Sequence, residues 1–466
     1  MNQPTARPDA HPARWRILGL LGVAQLMLIL DVTVVAIALP HIETDLGLSR
    51  EALTWTVSAY TLTFGGLMLL GGRISDLVGA KRVMLAGLLL FTAASLATGL
   101  AESAALLVGG RIAQGVGAAL LSPSALSLVV TLFDGEERNK ALGVWSALGG
   151  GGAALGVLLG GLLTAGPGWS WVFYVNVPIG VAIAAVLAVL VPGGRAWAAE
   201  RPRLDILGAI LVTSSTASLI YALIAAGEGG WLTPLTGWLV LAAAAGYVLF
   251  VVRQKRARSP LMDVRLLVRR PVATGAFLIM MATALMITVF FLGTFYFQQA
   301  RGYGAWQTGL LFLPVAVATM LGANLTGRVI GRWGGRAPAV AGMAVAALGM
   351  AVPAVSMNPA LVVVGVSVAA AGTGAMFVVA SATALGQVAP HEAGIASGIV
   401  STFHEFGASV GAAVVSSVAA ASLAGETLSG FAGGFTVAAV AAAVGIVVTA
   451  LVTPGRAGQE APLPSS

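Results

Sequence analysis

Cysteine is absent from all 466 residues, which excludes a disulfide framework, thiol chemistry and any Cys-based metal site. Charge is nearly as scarce: 9% of residues are charged while 58% are apolar, and mean hydropathy is +0.93. A soluble domain carries about 25% charged residues, and no water-soluble fold could cover this much apolar surface. The bilayer must be the solvent, each helical span then needing roughly 20 apolar residues. No Walker A sequence occurs, which argues against an ATP-driven pump. His391-Glu392 and His404-Glu405 do not extend to a zinc-binding H-E-x-x-H, because Ile395 and Ala408 stand where the second histidine is needed. No polar stretch is long enough for a catalytic domain, so neither an enzyme nor a metal or cofactor site is expected.

What the chain has is apolar runs, fourteen of them: 15–40, 52–72, 83–101, 104–133, 139–165, 171–191, 204–226, 235–252, 272–299, 306–327, 337–356, 359–387, 393–422 and 431–453. The first is too long for a signal-peptide core and is read as retained. Between the second and third lies a charged stretch, Gly72 to Arg82, G-R-I-S-D-L-V-G-A-K-R, expected as a tight hairpin. Gly327 to Arg336 repeats it as G-R-V-I-G-R-W-G-G-R, 255 residues on. Gly152 and Gly156 match Gly407 and Gly411 at the same step, and Gly115-Val116-Gly117-Ala118 matches Gly372-Thr373-Gly374-Ala375 at 257. Ordered landmarks at one spacing predict a duplicated bundle. The expected fold is an all-α polytopic membrane protein with two pseudo-symmetric six-helix bundles, 15–191 and 272–453. Two inserted helices and a basic loop (192–271) separate them, and short tails (1–14 and 454–466) flank them.

With both termini cytoplasmic, all 25 cations fall at inside segments or helix ends except Arg50 and Arg301 outside and Arg111 within a span. The pI of about 10.2 is therefore a topology signal, and no nucleic-acid partner is expected. The loop Arg253–Pro271, with seven cations and Asp263, suits an anionic leaflet. Trp15, Trp55, Trp169, Trp171, Trp231 and Trp306 fall near span ends, as interfacial anchors do.

Three ionisable residues lie deep in spans: Asp31, Arg111 and Glu405. Each such Asp or Arg costs about 2.5–3.5 kcal/mol to insert, so a chain that keeps them usually uses them. Asp31 and Arg111 are within side-chain reach across the bundle. They form either a neutralising ion pair or a switch, since an apolar surround favours the protonated acid and a guanidinium the carboxylate. Glu405 falls in an i, i+4 ladder with Ser397, Ser401 and Ser409 and is expected on a water-lined side, with His404 turned to a helix contact. Gly152, Gly156 and Gly160, beside Gly161, form a small-residue stripe suited to tight packing or to sliding between bundles. Asp76, at the cytoplasmic end of the second span, could meet a helix N-terminus across the interface or be a plain loop charge. Tyr60, Gln114, Phe173, Tyr296 and Gln298 could line a pocket for large amphipathic ligands, or merely pack.

Taken together these motifs resemble the major facilitator superfamily, and within it the fourteen-span drug:proton antiporters of the EmrB/QacA type. Gly72, Arg73, Asp76, Gly79, Lys81 and Arg82 stand in a stretch similar to the superfamily's motif after the second span. Arg111–Gly117 resembles its fourth-span motif, and Leu30–Pro40 and Trp169–Gly180 resemble the drug exporters' first- and sixth-span signatures. Gly152–Gly161 resembles the fifth-span antiporter motif with Val157 in place of a proline, and Ala36 stands where asparagine is common. The resemblance implies a proton-coupled exporter of amphipathic drugs or secondary metabolites in the cell membrane, acting as a monomer, with Asp31, Arg111 and Glu405 in coupling and Asp76 in a gate. It also implies that the span beginning near Gly394 is the partner of Asp76. An importer or symporter of a small metabolite, or a non-transporting sensor, remains open on the same scaffold.

Overall fold

The computed structural model describes residues 13–133, 135–191, 204–230, 232–262, 264–386, 393–423 and 428–453. These form fourteen long helices: α1 Arg14–Leu46, α2 Arg50–Val78, α3 Ala80–Gly99, α4 Ala104–Leu132, α5 Gly135–Ala165, α6 Trp171–Leu190 and α7 Ile206–Gly229. After these come α8 Pro234–Arg256, α9 Arg270–Ala300, α10 Ala305–Trp333, α11 Arg336–Val355, α12 Pro359–Gly386, α13 Ala393–Val418 and α14 Ser429–Val452. Thirteen are long and apolar enough to cross a membrane by themselves; α5, at 31 residues, is the other. The chain folds as two six-helix bundles with α7 and α8 inserted, the architecture expected from the repeats.

Helix ends follow from single residues. Ser49 accepts the Ala52 amide at 3.2 Å to start α2, and Thr233 accepts that of Thr236 at 3.2 Å to start α8. Gly47, at φ 58°, ends α1, which runs straight through Pro40, six residues beyond the expected boundary. The Gly72–Arg82 stretch is mostly not a hairpin. Gly72, Arg73 and Asp76 lie in the last turns of α2, and the chain reverses only at Gly79, φ 102°. In the second bundle α10 continues to Trp333 and the turn falls at Gly334, φ 72°. From 79 to 334 is again 255 residues.

Glycine packing corrects the third repeat landmark. A Cβ on Gly87 would lie 2.7 Å from the Gly117 carbonyl oxygen, and one on Gly342 would lie 3.0 Å from that of Gly372. These close approaches, α3 on α4 and α11 on α12, are the same contact 255 residues apart. Gly372 is thus equivalent to Gly117, and the 257-residue match was a two-residue slip along a glycine-rich helix.

One face of the molecule is basic, carrying Arg14, Arg73, Lys81 and Arg82. The bundles meet chiefly at the other face. Gln298 Nε2 donates to the Ile37 carbonyl at 2.9 Å, Gln299 Nε2 to Glu43 Oε2 at 2.5 Å and Arg50 Nη1 to the Ser416 carbonyl at 3.3 Å. A Cβ on Gly161 would sit 2.9 Å from the Ala305 carbonyl oxygen of α10. Along α2 and α13 the bundles also meet through hydroxyl pairs at 2.6 Å each, Thr54–Ser416 near the face opposite the basic one and Thr61–Ser409 deeper. Among the described residues no hydrogen bond joins the bundles at the basic face.

Helix α7, at 24 residues, is long enough to span a membrane. Its Ala209, Val212 and Ile220 pack in one cluster with Leu62 of α2 and Phe406 and Ala413 of α13. At the basic face Asp205 caps α7 by accepting the Gly208 amide at 3.0 Å. It also accepts Arg253 Nε at 3.0 Å and Gln254 Nε2 at 2.7 Å, both from the end of α8. Gln254 Oε1 then accepts the Met262 amide at 3.2 Å, which anchors the basic loop.

Candidate functional site

The deepest polar cluster joins four helices of the first bundle. Asp31 of α1 accepts an ion-paired hydrogen bond from Arg111 Nη1 of α4. Its second oxygen accepts Gln114 Nε2 at 3.0 Å, and the same amide nitrogen donates to Ser95 Oγ of α3 at 2.9 Å. Arg111 also donates Nε to the Thr56 carbonyl of α2 at 2.8 Å and Nη1 to Gln114 Oε1 at 3.1 Å. Its guanidinium carbon lies 4.4 Å from the centre of the Tyr60 ring, a cation–π contact, and Tyr60 hydroxyl donates to the Leu28 carbonyl at 3.3 Å. Asp31 and Arg111 are 2% and 1% exposed, so the pair is shielded from bulk water and depends on these partners.

The cluster has no counterpart in the second bundle. The residues 255 positions after Asp31, Ser95, Arg111 and Gln114 are Met286, Met350, Val366 and Ala369, all buried and apolar. The pseudo-symmetry of the backbone is broken where the charge is.

Glu405 sits on α13 at the seam with α2, where Gly65 leaves room for it: a Cβ on Gly65 would lie 2.6 Å from Glu405 Cβ. Of the two expectations from spacing, Glu405 on a water-lined side is not what is seen, whereas His404 does meet another helix. Glu405 and Ser409 turn to α2 and the Glu405 side chain is 10% exposed, whereas His404 is 42% exposed. His404 Nδ1 lies 3.0 Å from Thr283 Oγ1 of α9, and its ring 5.7 Å from that of Phe377. A periodic hydroxyl ladder marks an interhelical seam as readily as a wet wall, and sequence alone does not separate them.

The residues proposed to line a ligand pocket are packed instead. Tyr60, Gln114, Phe173 and Tyr296 are all 0% exposed. Tyr60 and Gln114 belong to the charge cluster. Phe173 packs on Trp169, itself buried with its indole donating to Asp45 Oδ2 at 2.8 Å. Tyr296 donates to the Met357 carbonyl and receives Arg301 Nε at 2.7 Å, while Gln298 spends its amide on Ile37 at the bundle interface. Of the two readings open for these five residues, packing is the one this arrangement displays.

Among the motif residues, Lys81 donates to the Ala188 and Val191 carbonyls at 2.8 and 2.6 Å, a cation on the C-terminus of α6. Asp76 is exposed and has no hydrogen-bond or ion-pair partner among the described residues. The side chains of 393–395, its expected partners, lie outside the described residues. Gly152, Gly156 and Gly160 pack on α1, against Ile29, Thr33 and Val34, within one bundle; Gly161 alone turns to the other bundle. Gly407 and Gly411 meet Met280 and Ala284 of α9 in the corresponding way. Among the described residues no group of His, Asp and Glu is arranged to hold a metal ion.

This duplicated fold with one buried ion pair is that of a membrane transporter. The Major Facilitator Superfamily profile matches residues 21–412, and the chain belongs to that family. It is 38% identical to the puromycin resistance protein pur8 of Streptomyces alboniger, over 87% of this chain and 81% of that protein. It is 34% identical to the multidrug resistance protein Stp of Mycobacterium tuberculosis, over 85% and 75%. It is 35% identical to the cephamycin export protein CmcT of Amycolatopsis lactamdurans, over 87% and 85%. Among solved structures it is similar to an auto-inhibited POT family peptide transporter, with TM-score 0.64, 16% identity and 96% and 99% coverage. An inward-facing bacterial Spinster homologue gives TM-score 0.62, 16% identity and 94% and 96% coverage. At such identities these two structures speak to the fold.

Proposed function

We propose that the protein is a proton-coupled exporter of amphipathic organic compounds, drugs or secondary metabolites, working by alternating access as a monomer in the cell membrane. Relatives covering more than four-fifths of the chain are named for resistance or export, which supports export over import. The observation that carries the mechanism is the Asp31–Arg111 pair, buried in one bundle and unmatched in the other.

Asp31 is the acid to which the proton is assigned. While the guanidinium holds it, the carboxylate is charged and partnered. A rearrangement that parts α1 from α4 strands both charges in an apolar surround, and taking up a proton relieves that cost. Glu405, at the bundle seam, is assigned a secondary part with cationic substrates, and Asp76 a gating part at the basic face. Placing both tails (1–14 and 454–466) and the basic face in the cytoplasm follows the positive-inside rule. The cross-bundle contacts then close the outer face. Residues 15–191 and 272–453 are the moving halves, and 192–271 is an insert between them.

The test is proton-gradient-driven efflux of a dye in reconstituted vesicles. Wild type exports uphill and releases protons on adding substrate, Asp31→Asn does neither, and Glu405→Gln exports with altered preference for cations. Uphill export by Asp31→Asn with none by Glu405→Gln exchanges the two assignments. Gradient-driven accumulation of a metabolite in the importing direction overturns export.

A further inference from the structure

Outside the charge cluster, the inserted helices and α2 enclose an open crevice of about 360 Å³ towards the face opposite the basic one. It is lined by Glu51 and Trp55 of α2, Ala217, Ser218 and Tyr221 of α7 and Leu239 of α8. Glu51 and Trp55 are one turn apart and so share a face of α2. Neighbouring Arg50 turns the other way, donating to the Ser416 and Ile224 carbonyls at 3.3 and 3.2 Å. The Glu51 carboxylate, the Trp55 indole and the Ser218 and Tyr221 hydroxyls have no partner among the described residues. Unused polar groups around one opening are a recognition surface.

The chemistry selects the ligand. A carboxylate beside an indole and a phenol suits an ammonium group, through a charge-assisted hydrogen bond and the aromatic faces. The crevice is also polarised along the membrane normal. Glu51 stands at the helix end, where headgroups lie, and Ala217 is near the middle of α7. A simple cation needs no such apolar tail, whereas an amphiphile does. Beside the crevice, Leu235, Trp238 and Leu241 of α8 are more than half exposed, so its mouth borders lipid. The volume lies in the range of small-ligand pockets, roughly 300–1,000 Å³, and admits a headgroup while the chains stay in the bilayer.

We infer that this crevice is a binding site for a membrane lipid whose headgroup ends in a primary ammonium. The ammonium donates to Glu51 between Trp55 and Tyr221, and an acyl chain runs down Ala217 and Leu239. Bound there, the lipid bridges α2 to the inserted pair.

The experiment uses the full-length protein in nanodiscs of phosphatidylethanolamine, phosphatidylcholine or phosphatidylglycerol. Lipid retention is read by native mass spectrometry and unfolding by temperature. Phosphatidylethanolamine is retained and raises the melting temperature above the other two. Glu51→Gln lowers that retention about tenfold or more, the loss of one charge-assisted hydrogen bond. Ser218→Leu, which fills the crevice and keeps the carboxylate, abolishes it and serves if Glu51→Gln fails to fold. Equal retention of ethanolamine and glycerol headgroups, or undiminished retention in both variants, overturns the assignment. So does a Glu51-dependent rise in melting temperature from tetraphenylphosphonium with none from phosphatidylethanolamine, which makes the site one for cationic solutes.

Discussion

Arg111 directs its guanidinium to a carboxylate, a carbonyl, an amide oxygen and an aromatic face. Removing either charge leaves the other buried and unpaired, which costs about 3–5 kcal/mol. Asp31→Asn and Arg111→Gln are each expected to lower the melting temperature markedly. The double variant should lose less than the two singles together, a coupling that thermal unfolding in detergent measures. The sequence shows Asp31 and Arg111 because charge in an apolar run is conspicuous. It does not show Ser95 or the Thr56 carbonyl, since a neutral hydroxyl and a backbone oxygen leave no pattern. Gln114 is visible as a polar residue in a span, but spacing leaves pocket lining and packing both open, because it does not say which way a helix is turned.

Two helix contacts lend themselves to direct tests. The hydroxyl pair Thr61–Ser409 on α2 and α13 is buried. Thr61→Val leaves Ser409 the Ser58 and Glu405 carbonyls to donate to, so the expected loss is about 0.5–1.5 kcal/mol in unfolding. At the start of α7, burial acts to raise the pKa of Asp205. The Gly208 amide, Arg253 and Gln254 outweigh it and hold the carboxyl below its ordinary range. A depressed folded value means stability that is full above the unfolded value, about 3.9, and lost as pH falls through the folded one. Asp205→Asn should therefore differ from wild type in melting temperature by a constant amount above about pH 5. That gap should shrink towards pH 3, as unfolding scans across pH would record. Element existence was legible throughout, from apolar length alone. Boundaries were not: α1 passes Pro40 and α2 runs to Val78, because apolar scoring stops at polar residues that a helix end carries easily.

For the molecule as a whole, the duplication could be read from glycines, and the structure brings four separate landmarks to one 255-residue step. The state of the two bundles could not, since it depends on contacts between residues hundreds of positions apart. Gly161 is the lever on that state. A side chain there meets the Ala305 carbonyl and Trp306 of the opposite bundle, so Gly161→Leu should favour separation of the bundles at that face. Spin labels replacing Glu43 and Gln299, in a chain with no cysteine of its own, should then report longer distances than in the parent protein. An unchanged distance distribution would show that the bundles yield elsewhere.

Helix α7 lies over the line where α2 meets α13, and α5 meets α10 on the other flank with, among the described residues, no such cover from the inserted pair. For a solute already dissolved in lipid, a duplicated transporter would offer two side doors, one on each flank. Here one is boarded over. Hydrophobic cargo arriving through the bilayer instead of from water is left with the α5–α10 flank, so labelled lipophilic substrates should crosslink there and not beside α7.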